Sequence, residues 1–233
     1  MKYLILLMSL FSVAAPDASA QALCASDGQF TPVTIVERFI NADCEACWQT
    51  SHPPEPSERT LSLDWIVPSA QGDQAALSTA ASTDALMRLK SLGLAPPATS
   101  LSTRTLVTNA LAGPLRVAHG VALGGYIGAS IELTSNNLDG PRVELSAWLI
   151  LVETIAAGTD GTPSERNLVR NVLVSHWAAS ESASTTAPAS YREMRPLSIA
   201  PDATPARLRV VGWVQDAHAR VLIAAQSFCL PPA

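Results

Sequence analysis

Two cysteines with a spacing suited to redox chemistry follow an apolar segment near the start of the chain. Cys44 and Cys47 are separated by two residues and come shortly after residues 33–40. Because β-branched and aromatic side chains dominate that segment and Pro32 precedes it, the pattern predicts a buried strand. A thiol pair at a turn from strand to helix suits thiol–disulfide exchange, since N–H groups at the helix start favour the first thiolate.

The same spacing fits two other kinds of site. A Cys-x-x-Cys pair also occurs as a structural disulfide and as half of a zinc site. His52, five residues after Cys47, would supply the third ligand of a metal site, whereas the other histidines show no ligand spacing: His119, His176 and His218. We expect thiol exchange with no resident metal or cofactor, and a permanent disulfide and a metal site stay as alternatives.

The charges next to the first thiol limit its reactivity. Asp43 and Glu45 flank Cys44 on both sides. Their negative charges oppose formation of a thiolate, so the sequence does not predict an extreme oxidant.

Composition indicates a globular protein and excludes one class of partner. The chain has 233 residues, 48% of them hydrophobic, which is enough for one large domain or two small ones. The formal net charge is −5, and the basic residues are almost all arginines spread singly. A nucleic-acid interface requires clustered basic residues, so we predict no nucleic-acid binding.

The N-terminus has the pattern of an export signal. Lys2 precedes an apolar run over residues 3–15, and Ala18-Ser19-Ala20 forms a small-x-small cleavage motif. The run is too short to span a membrane, and we predict no membrane span elsewhere. The sequence therefore predicts a signal peptide over residues 1–20, cleaved near Ala20, and a periplasmic or secreted protein.

Export makes stable disulfides available to the four cysteines of the chain. If Cys44 pairs with Cys47, the two that remain are Cys24 and Cys229, near the two ends of the mature chain. Chain ends commonly lie close together, which favours a structural bridge between Cys24 and Cys229. The alternative is that these two are buried free thiols.

Periodicity and turn residues place the remaining elements. After a short thiol helix stopped by prolines, the pattern predicts a strand over 60–67, a helix over 83–92 and a strand over 101–108. Residues 116–127 fit a strand pair or a short helix, and residues 165–177 fit a strand or a short helix. Two hairpins are predicted, one formed by 131–134 and 143–152 and the other by 207–214 and 221–225. The low-complexity composition of residues 178–190 predicts a loop.

The segment around the two cysteines resembles the opening sequence of a known protein family. Residues 35–47 read Ile-Val-Glu-Arg-Phe-Ile-Asn-Ala-Asp-Cys-Glu-Ala-Cys, and the family pattern is Val-Glu-Leu-Phe-Thr-Ser-x-Gly-Cys-x-x-Cys. Its members are exported bacterial thioredoxin-like proteins, catalogued as domain of unknown function twelve-twenty-three. Residues 62–65 stand where the family has its second strand, residues 166–172 resemble its Gly-Arg-x-Leu…Asn-Val segment, and residues 214–225 resemble its final hairpin.

Two positions depart from the family pattern. Family members have Pro-Pro after the second cysteine, whereas Trp48 follows Cys47 here. The family also has Thr-Pro-Gln before its third strand, which supplies a cis-proline facing the thiols, and residues 103–105 stand in its place. A cis bond without proline costs roughly 3 kcal/mol, so we expect a trans peptide and a remodelled substrate groove.

The resemblance implies an α/β fold, with a thioredoxin-like N-terminal domain over residues 30–129 and a β-rich, sandwich-like C-terminal domain over residues 130–230. It implies exchange with thiol or disulfide proteins as partners. Cys44 would be the attacking thiolate and Cys47 the resolving thiol. The oligomeric state does not follow from the sequence.

Overall fold

The computed structural model describes residues 24–51, 59–135, 144–177 and 189–229. The predicted signal peptide, His52, the proline cluster after the thiol helix, the polar turn at 136–141 and residues 178–188 lie outside the described residues. Among the described helices, none has the length and apolar character needed to cross a membrane.

The described chain is built mainly from strands. In chain order they are β1 (Cys24–Ala25), β2 (Thr34–Asn41), β3 (Thr60–Val67), β4 (Ser100–Leu106), β5 (Leu115–Leu123), β6 (Tyr126–Ser135), β7 (Leu145–Ile155), β8 (Arg166–Trp177), β9 (Ala189–Ser198), β10 (Leu208–Asp216), β11 (Val221–Gln226) and β12 (Phe228–Cys229). The α-helices are α1 (Glu45–Trp48) and α2 (Thr83–Ser91). The larger sheet has the order β11-β10-β7-β8-β3-β2-β4, and the smaller has the order β12-β1-β5-β6-β9.

Strand β2 lies inside the larger sheet, between β3 and β4. It pairs in parallel with β3, from Thr34 opposite Thr60 onward, and antiparallel with β4. Seven of its eight residues are buried, which agrees with the continuous apolar run that predicted it. The parallel connection from β2 to β3 contains α1, so the thiol pair follows directly from the carboxyl end of a buried strand.

The two sheets pack face to face around one apolar cluster. Val117 and Ile131 from the smaller sheet share this cluster with Leu149 and Val210 from the larger sheet. At Gly212 the approach is so close that a Cβ would meet the Trp148 carbonyl oxygen at 2.8 Å and side-chain carbons of Val117 and Ile131 at 2.9 Å. Glycine is therefore the residue that lets the sheets meet at this point.

The predicted hairpin from 131–134 to 143–152 is wrong, although both strands exist. Strand β6 pairs with β5 and β9 in the smaller sheet, and β7 pairs with β8 and β10 in the larger one. The apolar pattern predicts strands but carries no information about which partner each strand takes. The hairpin of β10 and β11 is confirmed.

Two ambiguous segments are strands. Residues 116–127 belong to the strand pair of β5 and β6, with a turn at Gly124 and Gly125, both of which have positive φ angles. The segment 165–177 contains the whole of β8, which begins one residue later at Arg166, and this rules out the helical alternative. The sequence does not predict strand β9. Its polar residues, such as Arg192 and Glu193, interrupt the alternation of apolar and polar residues that indicates a strand.

The β-rich character predicted for the C-terminal part is confirmed. All described elements from β7 onward are strands, apart from one turn of 3-10 helix at Pro205–Arg207. The predicted boundary between residues 129 and 130 lies within β6. Moreover, the larger sheet combines β2, β3 and β4 from before that boundary with β7, β8, β10 and β11 from after it.

Candidate functional site

Cys44 and Cys47 form a disulfide in the turn that follows β2. The Cys44 N–H donates to the Asn41 carbonyl at 2.8 Å, which tightens the turn between the strand and α1. Both cysteines are half-buried and pack against a cluster that includes Ile40 and Trp48. The bridge is therefore anchored on one side and open to solvent on the other.

Helix α1 is a single turn of four residues, and Cys44 is its N-cap. The Cys47 N–H donates to the Cys44 carbonyl at 3.0 Å. One turn aligns few peptide dipoles, so it gives a Cys44 thiolate less support than a full helix would give. The short thiol helix predicted from the sequence is confirmed, and its shortness weakens one argument for a reactive Cys44.

Arg166, at the start of β8, satisfies the carbonyls at the end of the thiol helix. Its Nη2 donates to the carbonyl oxygens of Trp48 at 2.7 Å, Thr50 at 3.0 Å and Cys47 at 3.3 Å. Its guanidinium carbon lies 4.7 Å from the centre of the Trp48 ring. The last carbonyls of a helix have no partner within the helix, and here Arg166 supplies one. This one side chain therefore fixes the segment that carries Cys44, Cys47 and α1, called the thiol turn below, to the larger sheet.

Asp64 on β3 holds the other end of Arg166. Its Oδ1 accepts from Arg166 Nη1 at 3.0 Å and from Arg38 Nε at 2.9 Å, and its Oδ2 accepts from the Asn167 N–H at 3.3 Å. Asp64 and Arg166 are fully buried. Burial lowers the pKa of Arg166, and the nearby Asp64 carboxylate offsets part of this effect because it favours the charged guanidinium. Two arginines and a backbone donor offset the cost of removing this carboxylate from water.

Asn41 ties a second loop to the thiol turn. Its Nδ2 donates to the Pro97 carbonyl at 3.1 Å, its N–H donates to the Thr99 carbonyl at 2.7 Å, and its Oδ1 accepts from the Asp43 N–H at 2.9 Å. Asp43 Oδ1 accepts in turn from Ser69 Oγ at 2.7 Å. Residues 97–99 therefore lie beside the thiol turn.

The family pattern predicts that residues 103–105 face the thiols, and this prediction is wrong. Thr103, Arg104 and Thr105 pair with residues 35–37 of β2, away from the end of the strand that leads to Cys44. Because β4 runs antiparallel to β2 and begins with Ser100 opposite Ile40, the loop before β4 occupies that place instead. The peptide bonds of the described residues are all trans.

Cys24 and Cys229 form the second disulfide, as their positions near the chain ends predicted. They lie directly opposite each other on β1 and β12 of the smaller sheet. His119 lies opposite Cys24 on the other side, on β5, and its Nε2 is 3.9 Å from Cys229 Sγ. Burial lowers the pKa of His119.

A second buried ion pair attaches α2 to the larger sheet. Arg88 donates to both Glu37 carboxylate oxygens, at 2.8 and 2.6 Å, and to Gln215 Oε1 at 3.0 Å. Its guanidinium carbon lies 4.9 and 4.8 Å from the ring centres of Trp148 and Trp213. Glu37 and Arg88 are fully buried.

Sequence reasoning missed both buried networks. The available signal was a charged residue inside an otherwise apolar strand, as at Glu37, Arg38 and Asp64. Such residues are rarely buried without partners, so they indicate buried ion pairs without identifying them. His52, the third ligand of the metal alternative, lies outside the described residues, and that alternative stays a prediction.

Comparisons with known proteins give little similarity. No family model matches the chain, and no curated protein matches it. Among solved structures the chain is similar to HBP35 of Porphyromonas gingivalis, with 12% identity over 86% of this chain and 76% of that chain, at a TM-score of 0.49. A likeness at this level carries no assignment of fold or function, which leaves the geometry of the chain itself as the basis for a proposal.

Proposed function

We propose that the chain is an exported thioredoxin-like protein that exchanges disulfides through Cys44 and Cys47. The observation that carries the proposal is the position of the Cys44–Cys47 bridge, in the turn of a β–α–β unit whose strands β2 and β3 are parallel. A Cys-x-x-Cys pair within such a unit is typical of thioredoxin-like redox motifs.

The neighbouring strands support this proposal. Thioredoxin-like sheets place an antiparallel strand beside the strand that leads to the thiols, and β4 takes that position beside β2. The loop over residues 97–99 is hydrogen-bonded to Asn41, three residues before Cys44, and we propose that a substrate backbone approaches there. We include in the proposal a thioredoxin-like N-terminal part and membership of the exported family that residues 35–47 resemble.

The accessibility of the bridge also supports exchange. Exchange requires a thiolate of the partner to reach a sulfur in line with the bond. Cys44 and Cys47 are half-buried, and exposed residues surround them: Asp43, Glu45 and Ala46. The proposed partners are thiol or disulfide proteins of the periplasm or the extracellular space, and two disulfides in one chain are compatible with such a compartment.

A permanent structural disulfide is the second candidate function for this pair. The observation that favours it is the fixing of α1 by Arg166, which bonds three carbonyls and stacks on Trp48. A rigid one-turn helix with acidic neighbours holds its bridge closed and gives its thiols little activation.

The reduction potential of the Cys44–Cys47 bridge separates the two candidates. Equilibration of the exported protein in graded dithiol buffers, followed by mass mapping of each bridge, measures it directly. Exchange predicts a potential above roughly −300 mV, within the range of thioredoxin-like redox proteins, because structural disulfides of secreted proteins lie below that value. A value below it contradicts exchange and supports the structural candidate.

Trapping of mixed disulfides tests the assigned roles. If Cys44 attacks, Cys47→Ala leaves a nucleophile that cannot be released from its partner, so covalent adducts accumulate on non-reducing gels. Cys44→Ala then traps nothing and serves as the matched control. Equal trapping by both variants contradicts the roles assigned to the two cysteines.

A further inference from the structure

Three adjacent strands of the smaller sheet bring two cysteines and a histidine together. Cys24 on β1 lies between Cys229 on β12 and His119 on β5, each directly opposite it in register. Their ligand atoms, two Sγ and one imidazole nitrogen, all lie within 4.8 Å of one another. Sequence spacing did not reveal this group, because its members are 95 or more positions apart.

Two thiolates and one imidazole form a donor set suited to a zinc-class ion. Zinc binds cysteine sulfur at about 2.3 Å and histidine nitrogen at about 2.0 Å, and a Cys2His set leaves its fourth position open for water or substrate. Cys24 and His119 are buried while Cys229 is exposed, so an ion held by all three would face solvent on the Cys229 side.

The tautomer of His119 is already the one that a metal requires. Its Nδ1 lies 2.9 Å from the Gly120 carbonyl oxygen, which only accepts hydrogen bonds, so Nδ1 carries the proton. In the neutral ring Nε2 is therefore the unprotonated nitrogen, and it is the one that faces Cys229 Sγ at 3.9 Å. A backbone carbonyl bound to the other ring nitrogen is the usual arrangement for metal-ligating histidines.

We propose that reduction converts the Cys24–Cys229 bridge into a site for a zinc-class ion held by Cys24, Cys229 and His119. A dithiol supplies two electrons and two protons, which break the S–S bond and give two thiols, while the dithiol itself becomes a disulfide. The ion then displaces both thiol protons and accepts electron pairs from the two thiolates and from His119 Nε2. The disulfide and the metal site are thus alternative states of the same three residues.

The strand geometry allows both states. Once the S–S bond is broken, the two sulfurs must separate to roughly 3.7 Å to bind one tetrahedral ion. The Cα atoms of Cys24 and Cys229 are 4.0 Å apart, which keeps both side chains within reach of one ion. Cys229 ends a two-residue edge strand, which has a single neighbour to hold it in place.

Cobalt titration of the full-length exported chain tests the proposal. A Cys44→Ser/Cys47→Ser background removes the other thiols, and a phosphine reductant opens the remaining bridge without chelating the ion. We expect one Co²⁺ per chain, with thiolate charge-transfer absorption and the intense visible bands of tetrahedral coordination. The oxidised protein should show neither signal. Absence of Co²⁺ binding by the reduced protein would overturn the proposal, whether the protein stays folded or unfolds on reduction.

Histidine variants separate the three-residue site from binding by two loose thiols. His119→Ala keeps both cysteines and should weaken Co²⁺ binding at least about 10-fold. His176→Ala removes an exposed imidazole on β8, in the other sheet, and should leave the affinity unchanged. Binding that His119→Ala leaves unchanged would also overturn the proposal, because it would exclude the imidazole as a ligand.

Discussion

At the scale of single residues, Arg166 connects the thiol turn to the interior of the larger sheet. One guanidinium bonds carbonyls of Cys47, Trp48 and Thr50 on one side and the buried Asp64 carboxylate on the other. Its loss would remove this donor from three carbonyls and would take one of the two arginines, Arg166 and Arg38, away from Asp64. Buried groups that lose partners cost far more than exposed ones do.

We therefore predict that Arg166→Met lowers the free energy of unfolding by roughly 3–5 kcal/mol. The methionine keeps most of the side-chain volume, so the loss reports mainly the polar contacts. Urea denaturation followed by tryptophan fluorescence measures it, and the Trp48 ring under the guanidinium makes the signal sensitive to this site.

Arg207→Met is the matched control for Arg166→Met. Arg207 forms an ion pair with Asp160 at 3.0 Å, but the two side chains are 37% and 58% exposed. Exposed ion pairs contribute about 0–1 kcal/mol, so the control should change little. Equal losses in the two variants would contradict the role given to Arg166.

The partners of these buried charges could not be read from the sequence. Arg166 and Asp64 are 102 positions apart, and no local pattern connects them. The presence of charges in β2 and β3 was visible, whereas their pairing depends on β8 lying beside β3, which is a property of the whole sheet. The sequence located the thiols and left their supports unassigned.

At the scale of elements, local chemistry decides the shape of the hairpin between β10 and β11. Asp216 Oδ1 accepts from the N–H groups of His218 at 2.9 Å and Arg220 at 3.0 Å, and its Oδ2 accepts from Arg220 Nε at 2.7 Å. Burial, the largest single effect, raises the pKa of Asp216. These hydrogen bonds and the positive charge of Arg220 together lower it by more, so the pKa lies below its ordinary value of 3.8.

We predict that Asp216→Asn lowers the free energy of unfolding at neutral pH by about 1–2 kcal/mol. A carboxyl group whose pKa is depressed in the folded state adds stability above its ordinary pKa, and that stability is lost as the pH falls through the folded value. The difference between Asp216→Asn and wild type should therefore shrink as the pH drops below 3.8. Denaturant unfolding at several pH values measures it.

Asp73→Asn provides the comparison, because Asp73 is exposed at the start of a short turn. Surface substitutions of this kind change stability by about 0.5 kcal/mol or less. A difference between Asp216→Asn and wild type that persists unchanged down to a pH of about 2 would contradict the role of the charged carboxylate.

Elements were predictable where their signals are local. Strands β2 and β3 are largely apolar, with Pro32 shortly before β2 and Pro68 directly after β3. Apolar residues on one face and a stop at Gly93 predict α2, and its N-cap is Ser82, one residue before the predicted cap, bonded to the Asp84 N–H at 3.0 Å. The pairing of β6 and β7 was wrong because it depends on which sheet each strand joins. Tertiary contacts decide that choice, and they override the short connection between the two strands.

At the scale of the whole molecule, the packing of one sheet on the other depends on the absence of a side chain at Gly212. We predict that Gly212→Ala lowers the free energy of unfolding by about 1–3 kcal/mol, because the new Cβ meets Val117, Ile131 and the Trp148 carbonyl at less than 3.0 Å. Thermal unfolding monitored by circular dichroism measures the loss.

Gly128→Ala is the control for Gly212→Ala. Gly128 also lies in a strand, β6, but a Cβ added there would have no neighbouring atom within 4 Å, and its φ is not positive. Alanine there should be neutral or slightly stabilising, since it reduces the freedom of the unfolded chain. Similar losses at both glycines would show that the cost comes from strand backbone effects and not from contact between the sheets.

The Cys24–Cys229 bridge joins positions 205 residues apart and so constrains nearly all of the described chain. The stabilisation from a disulfide grows with the logarithm of the loop that it closes, to about 5 kcal/mol for a loop of this length and to less than about 2 kcal/mol for three residues. Cys24→Ser/Cys229→Ser should therefore lower the free energy of unfolding by roughly 2–5 kcal/mol, measured in urea without reductant. Cys44→Ser/Cys47→Ser removes a bridge across three positions and should cost much less. A larger loss from the second double variant than from the first would assign the main structural role to the Cys44–Cys47 bridge. It would contradict the assignment of Cys24–Cys229 as the structural disulfide and Cys44–Cys47 as the exchange pair.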